Sequence, residues 1–350
     1  TQIARGISYY NLVIQSTSTV TFSADMSAEN LNILQGILSS NYNININNST
    51  EIRGRFTFYN PTSSKSFNNI EIFLGGEWNS TVASDYNIAG NFHNDGTVNA
   101  NNGNYYFTGS NKIISGNAET IIPNIIISGS YNNNGILRSS SISGTGMITN
   151  NGVLKLEGSF TVQDFDFYSN ANTVYAKSTQ INATKYRNLY IDNNGGISTL
   201  SNDIEVMENL DFPSYGILDL NGYTLSFPEW NNSIPDDLSI DKKIILNGGK
   251  IRVEEVSAGE KVVFPVSVND ADTAYSRIDI TNFDTNPAHN WFEVENIHFD
   301  VYTDGSSDGT SGGEKINKNG VNIMYNMHSD SENADVTLYW NSSLELEDFD

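Results

Sequence analysis

Asn30-Leu31-Asn32-Ile33, Gly36-Ile37-Leu38 and Tyr42-Asn43-Ile44-Asn45-Ile46 follow one another early in the chain. The same order returns as Asn209-Leu210-Asp211-Phe212, Gly216-Ile217-Leu218-Asp219-Leu220 and Tyr223-Thr224-Leu225-Ser226-Phe227. One step earlier in each copy, Asn11-Leu12-Val13-Ile14 matches Asn188-Leu189-Tyr190-Ile191, so the matched segments keep an offset of about 180 residues. Chance apolar runs do not hold a constant offset; self-similarity of this kind marks a repeat architecture. Between the copies lie further Asn-apolar strands at Asn69-Ile70-Glu71-Ile72 and Asn124-Ile125-Ile126-Ile127. Ile44-Asn45-Ile46 and Val153-Leu154-Lys155-Leu156 alternate with the period of two that buries one face of a strand. The most helix-like stretch, Asp25 to Asn30, is too short and passes at once into strand pattern.

Gly-centred turns such as Asn134-Gly135 and Asn151-Gly152 separate these strands, which suits either a parallel β-solenoid or a row of antiparallel sheets. Recurrence of Asn-Leu-x-Ile after each turn favours the solenoid, where equivalent strands of successive turns pair and Asn stacks on Asn as a ladder. Residues 1–250 therefore read as a repetitive β-solenoid. Near Lys250 the pattern changes. Strands lengthen at Lys261-Val262-Val263-Phe264-Pro265-Val266, and alternation at Ser276 to Ile280, Trp291 to Val294, Gly320 to Tyr325 and Asp335 to Trp340 predicts an antiparallel β-sandwich of immunoglobulin-like size over residues 251–350. The chain reads as an excised piece of a longer protein, with the sandwich truncated at its C-terminus.

Composition agrees with many turns and a real core. Of 350 residues 50 are Asn, which tolerates left-handed backbone and caps turns with its own amide. Disorder is disfavoured by 18 Tyr and 17 Phe. A net charge of −23, with only 18 Lys and Arg, argues against nucleic acid and against anionic membranes. No cysteine is present, so there is no disulfide framework. No apolar run reaches the ~18 residues of a membrane span.

Gly216 to Leu225, preceded by Tyr186-Arg187-Asn188-Leu189-Tyr190-Ile191, resembles the repeat of large surface proteins of Bacteroidota, adhesins associated with gliding motility among them. Val263-Phe264-Pro265-Val266, Tyr275, Ile280-Thr281-Asn282, Tyr302 to Gly312 and Val336 to Glu345 resemble the module that often follows it. The resemblance covers about half of the chain. It departs at Ile323-Met324-Tyr325-Asn326-Met327, where many relatives have a Trp strand, and at Ser267, where a Gly follows the Phe-Pro-Val element. The resemblance implies export by the type IX secretion system, an extracellular place on the bacterial surface, and neighbouring modules of the same long chain as partners.

Catalytic constellations are mostly missing from the linear sequence. His93, His289, His298 and His328 lie far apart without metal-site spacing, and no nucleophile elbow or phosphate loop occurs. Asp164-Phe165-Asp166 places two carboxylates on one strand face, a pair that serves either acid/base chemistry or simple solvation, and solvation is the better reading without nearby basic residues. The best ligand candidate is Asp300 to Gly309, where Asp300, Asp304 and Asp308 with interleaved Gly provide the hard oxygens and tight turns that calcium takes. Asp-Gly is equally the chemistry of hairpin turns. Trp78, Trp230 and Tyr105-Tyr106-Phe107 are candidates for stacking on sugars, though core packing is the better reading of most of them. Two functions follow: a structural stalk or adhesion segment, or a polysaccharide-binding or polysaccharide-cleaving solenoid.

Overall fold

The computed structural model describes residues 2–5, 7–167, 171–175, 177, 180–194, 196–229, 234, 241–267, 275–298, 323–340, 342 and 345–346. These residues form strands and no α-helix, and Asp25 to Asn30 runs into the strand Met26–Ser40. About 13 turns of parallel β-solenoid are present, together with a second sheet. The chain divides into two compact units, Thr1–Thr173 and Val174–Asp350.

In the first unit each strand lies parallel to its equivalent one turn on. Ile125 pairs in this way with Ile142, and Phe56 with Trp78. Inward side chains therefore stack in columns. Ile14, Ile33, Ile52 and Ile72 form one column, and Val20, Leu38, Phe56, Trp78 and Val98 another. All nine are buried, which at roughly 1.5–3 kcal/mol for each large side chain is the main favourable term in the fold. Trp78 sits in an aromatic cluster, 4.7 Å from the Phe58 ring and 5.2 Å from Tyr86, and its Nε1 donates to Tyr105 Oη at 2.9 Å.

Corners between strands are tight enough to need glycine. A Cβ on Gly129 would fall 1.8 Å from the Gly109 carbonyl oxygen, and one on Gly146 2.1 Å from that of Gly129. Asn serves other corners: five of the six described non-glycine residues with positive φ are Asn101, Asn111, Asn194, Asn221 and Asn247. Asn134-Gly135 and Asn151-Gly152 are thus coil corners, stacked by a bond from Val153 N to Gly135 O at 2.9 Å, and not hairpin tips.

The second unit alternates between two parallel sheets. Lys185–Ile191, Ile204–Asp211, Thr224–Phe227 and Lys250–Val253 build one sheet. Gln180–Ile181, Ile197–Leu200, Gly216–Asp219, Lys242–Ile245 and Lys261–Ser267 build the other. Here the pairing changes sense. Phe292–His298 pairs antiparallel with Lys250–Val253, and Met324–Ser329 joins it in turn. Tyr275–Asn282 pairs antiparallel with Lys261–Ser267, and Ala334–Tyr339 follows. Each sheet of the coil is thereby extended by two antiparallel strands.

Candidate functional site

The repeated Asn of the Asn-Leu-x-Ile unit has a definite structural task. In register pairing Asn11 lies beside Asn30 and Asn188 beside Asn209, so the two distant copies do the same thing. Asn30 Nδ2 donates to Asn11 Oδ1 at 2.7 Å, and Asn209 Nδ2 to Asn188 Oδ1 at 2.7 Å. In the first unit the ladder runs on: Asn48 Nδ2 donates to Asn30 Oδ1 at 2.8 Å and Asn69 Nδ2 to the Asn48 carbonyl at 3.1 Å. Backbone N–H groups of Asn91 and Ile113 then donate to Asn69 Oδ1 and Asn91 Oδ1, both at 2.9 Å. Successive turns are stitched by amides. Each such bond contributes about 1 kcal/mol net and satisfies a backbone or amide group that the bend would strand.

Beside this ladder runs an outward row that pairs Ser8, Ser27, Asn45, Ser66, Asn87 and Tyr106 in successive turns. Two shallow hollows of about 410 and 370 Å³ lie along it and share Asn45 and Ser66. Their polar lining is amide and hydroxyl, with Asp25 as the one carboxylate. Asp25 is itself bonded by Asn43 Nδ2 at 2.8 Å. Neutral donors and acceptors repeating at the ~4.8 Å strand spacing suit a hydroxyl-rich polymer better than an ion.

A Ser-His-Asp contact is assembled by the coil and was hidden in the sequence. His93 Nδ1 lies 2.9 Å from Ser115 Oγ, and His93 Nε2 lies 3.0 Å from Asp95 Oδ2. Asp95 accepts from Asn117 N at 2.8 Å, the largest of the effects that hold its carboxyl below the usual range, followed by the His93 ring. Ser115 comes from the next turn, in register with His93, and Asp95 follows directly on the strand Phe92–Asn94. The only sequence signal was the His-x-Asp alternation. Such a relay holds a proton on Nε2 and leaves Nδ1 as an acceptor, but it sits on an open sheet face. Nδ1, next to the main chain, is also the less accessible ring nitrogen for serving a substrate.

Two other charged clusters are ion-pair ladders. Glu293, Glu295 and His328 bring ligand atoms within 4.8 Å of one another, with His328 Nε2 at 3.3 Å from Glu295. Lys250 Nζ at 3.2 Å and Arg252 at 3.8 Å already neutralise buried Glu293, so a metal would have to displace both. Glu119 similarly receives Lys155 at 2.8 Å and Arg138 at 4.0 Å. Lys65 is different. It stands in an inward column after Met26 and Ile44, fully buried, with Nζ bonded to the carbonyls of Asn60 at 2.7 Å and Ser63 at 2.8 Å. Burial lowers its pKa from 10.5 to about 8, against a smaller opposing pull from Asp85.

The structure distributes the residues singled out from sequence. Trp78, Tyr105 and Phe107 are core, whereas Tyr106 is half-buried on the outward row. Asp164 and Asp166 are exposed on the strand Val153–Phe167, beside Met147 and Thr149. His289 Nδ1 lies 3.1 Å from Asp284. Asp300, Asp304, Asp308 and Trp230 lie outside the described residues. Among the described residues no helix is long and apolar enough to cross a membrane. No protein-family model, no curated protein and no solved structure matches this chain.

Proposed function

We propose that the chain is a structural stalk or adhesion segment of a large secreted protein on the outer surface of a bacterium, mediating attachment to a surface or glycan. The observation that carries this reading is the amide ladder from Asn11 to Ile113, which ties successive turns together. Pulling one turn from the next must break its amide bonds together with the backbone ladder, so the repeat resists load without any catalytic step. Stretching the chain between its ends by single-molecule force spectroscopy tests it. Lengthening in steps near one turn, about 6–8 nm at ~3.5 Å for each residue, is expected. Collapse of a whole unit in one low-force step would remove the mechanical argument.

The rest of the reading hangs on this role. The four antiparallel strands after Ser267 make a sandwich-like module that joins neighbouring modules of the same long chain. Export is by the type IX machinery, in keeping with gliding-associated adhesins, and Asp300, Asp304 and Asp308 hold calcium. Isothermal titration with calcium, repeated on Asp304→Asn, checks the last point: heat that is unchanged in the variant refutes it.

A second reading is favoured by the neutral row from Ser8 to Tyr106, which offers a polysaccharide amides, hydroxyls and one aromatic face. A glycan array followed by a reducing-end assay separates the two. Binding without new reducing ends supports adhesion, and new reducing ends would make the chain a cleaving enzyme.

A further inference from the structure

The first turn of the coil has an edge whose chemistry names its occupant. Residues 20–22 of the strand Ser8–Phe22 pair with Gln2–Ala4, and the strand pairs along its other side with Met26–Ser40. Residues 8–18 have no strand on that first side among the described residues. A free strand edge is a template for another strand.

Three observations say which strand fits. Asn11 accepts from Asn30 through Oδ1, while its own exposed Nδ2 meets no acceptor among the described residues, whereas Asn30, Asn48 and Asn69 each donate to the preceding turn. The ladder is one member short. Leu12 is only half-buried although its column neighbour Leu31 is fully buried, and Ile7, Tyr10 and Val13 are 51%, 76% and 51% exposed. Finally, an amide ladder needs the same residue at the same height on adjacent strands, which parallel in-register pairing provides and antiparallel pairing does not.

We propose that residues 8–15 are a docking edge for a parallel β-strand reading Asn-apolar-x-apolar, a further coil of this repeat type, whose Asn accepts from Asn11 Nδ2. The interface continues the turn-to-turn interface of the coil itself. It goes beyond the stalk reading, because it holds whether the chain bears load or binds glycans.

The test uses the full chain and a synthetic peptide of the sequence Met26–Ser40. Fluorescence anisotropy is expected to show saturable binding, weakened about tenfold by Asn30→Ala in the peptide or by Asn11→Ala in the chain. Hydrogen exchange should slow at residues 8–15 when peptide is added, and circular dichroism confirms that the Asn11→Ala chain is folded. Because the chain has no cysteine, orientation can be read by disulfide capture. A Ser8→Cys chain should trap a peptide carrying Cys at position 27, the partner of Ser8 in the existing pair, and not one with Cys at position 39. No saturable binding, equal binding of a scrambled peptide, or capture through position 39 overturns the proposal. Concentration-dependent self-association that protects residues 8–15 overturns it in favour of a second copy of this chain.

Discussion

Lys65 is a cation in an apolar column, and its removal makes a pH-dependent forecast. Its pKa falls from 10.5 to about 8 on folding, chiefly through burial. At about 1.4 kcal/mol per unit this costs about 3 kcal/mol when the side chain is charged in both states. Between the two values the unfolded chain binds more protons than the folded one, so stability rises with pH through that window. From pH 7 to 9.7 the gain amounts to about 2 kcal/mol. Tyrosines act in the opposite sense: Tyr86 and Tyr131 are pushed up to about 12 by burial, so their contribution begins to be lost as pH approaches 10, where the unfolded chain ionises first. Measurements should therefore stop below pH 10. Lys65→Met restores the Met26–Ile44 column. It leaves the Asn60 carbonyl with donors from Ser63 and Ser84 at 3.3 and 3.2 Å and strips one from Ser63, a loss of about 1 kcal/mol. The variant should be about 2 kcal/mol more stable than wild type at pH 7, and this advantage should shrink by about 2 kcal/mol by pH 9.7, the tyrosine losses being common to both chains. Urea unfolding followed by Trp78 fluorescence, with Trp230, Trp291 and Trp340 replaced by Phe, reads the coil that holds Lys65. A difference between variant and wild type that stays constant across the window would refute the reasoning.

Other expectations test the ladders and the open Ser-His-Asp contact. Gly129→Ala should cost about 3 kcal/mol or more in the same urea assay, because its Cβ overlaps the Gly109 carbonyl, whereas Gly75→Ala, with nothing within 4 Å and φ of 84°, should cost about 1 kcal/mol. Asn30→Ala removes bonds to Asn11, Asn48 and Ser49 and should cost about 1–3 kcal/mol, while Asn45→Ala, which loses only the bond to Asn47, should stay below about 1 kcal/mol. Ser115 should not be labelled by a fluorophosphonate probe at neutral pH, as judged by mass spectrometry of the labelled peptide. Labelling that disappears in His93→Ala would show a working nucleophile. The Asp95 carboxyl should titrate below the ordinary carboxylate range by NMR, so its contact with His93 persists at neutral pH and is lost as pH falls through that lowered value.

Periodicity made the strands readable, and the constant offset made the parallel coil readable, because residues that stack must recur. Asn11 and Asn30 were visible as a repeat before their amides were known to touch. The Asn-Gly corners were legible as turns, but not their sense, since the same dipeptide closes a hairpin or bends a coil. Register was not legible at all. Ser115 meets His93 only because of the length of that one turn, which is longer than the turn from Ile125 to Ile142, and no local signal sets the length. Trp78 and Tyr105 were readable as sugar platforms or, more readily, as core, and the coil turns both inward. Lys65 could not be found as a buried cation, since its two carbonyl partners belong to a local bend at Asn60 and Ser63.

The abundance of Asn, the most obvious compositional feature, has its explanation inside the fold. A coil needs a bend several times per turn, and every bend exposes backbone groups that neither sheet can satisfy. Asn answers with a donor and an acceptor on one short side chain, so that it can cap its own turn, as Asn94 does for Gly96 N at 3.1 Å, and also reach the next one, as Asn94 does toward Thr120 at 3.2 Å. Inside the coil it even replaces a core residue: Asn133 and Asn150 are fully buried and bonded to each other at 2.9 Å, in a column that elsewhere carries Ile114 and Phe92. Polarity spent in this way is not available to a ligand. The residues that can meet a partner lie on the outward row, where exposed amides and hydroxyls keep bonding capacity beyond mutual bonds such as Ser8 to Ser27 at 2.8 Å, and at the edge with Asn11, and a search for binding should begin there.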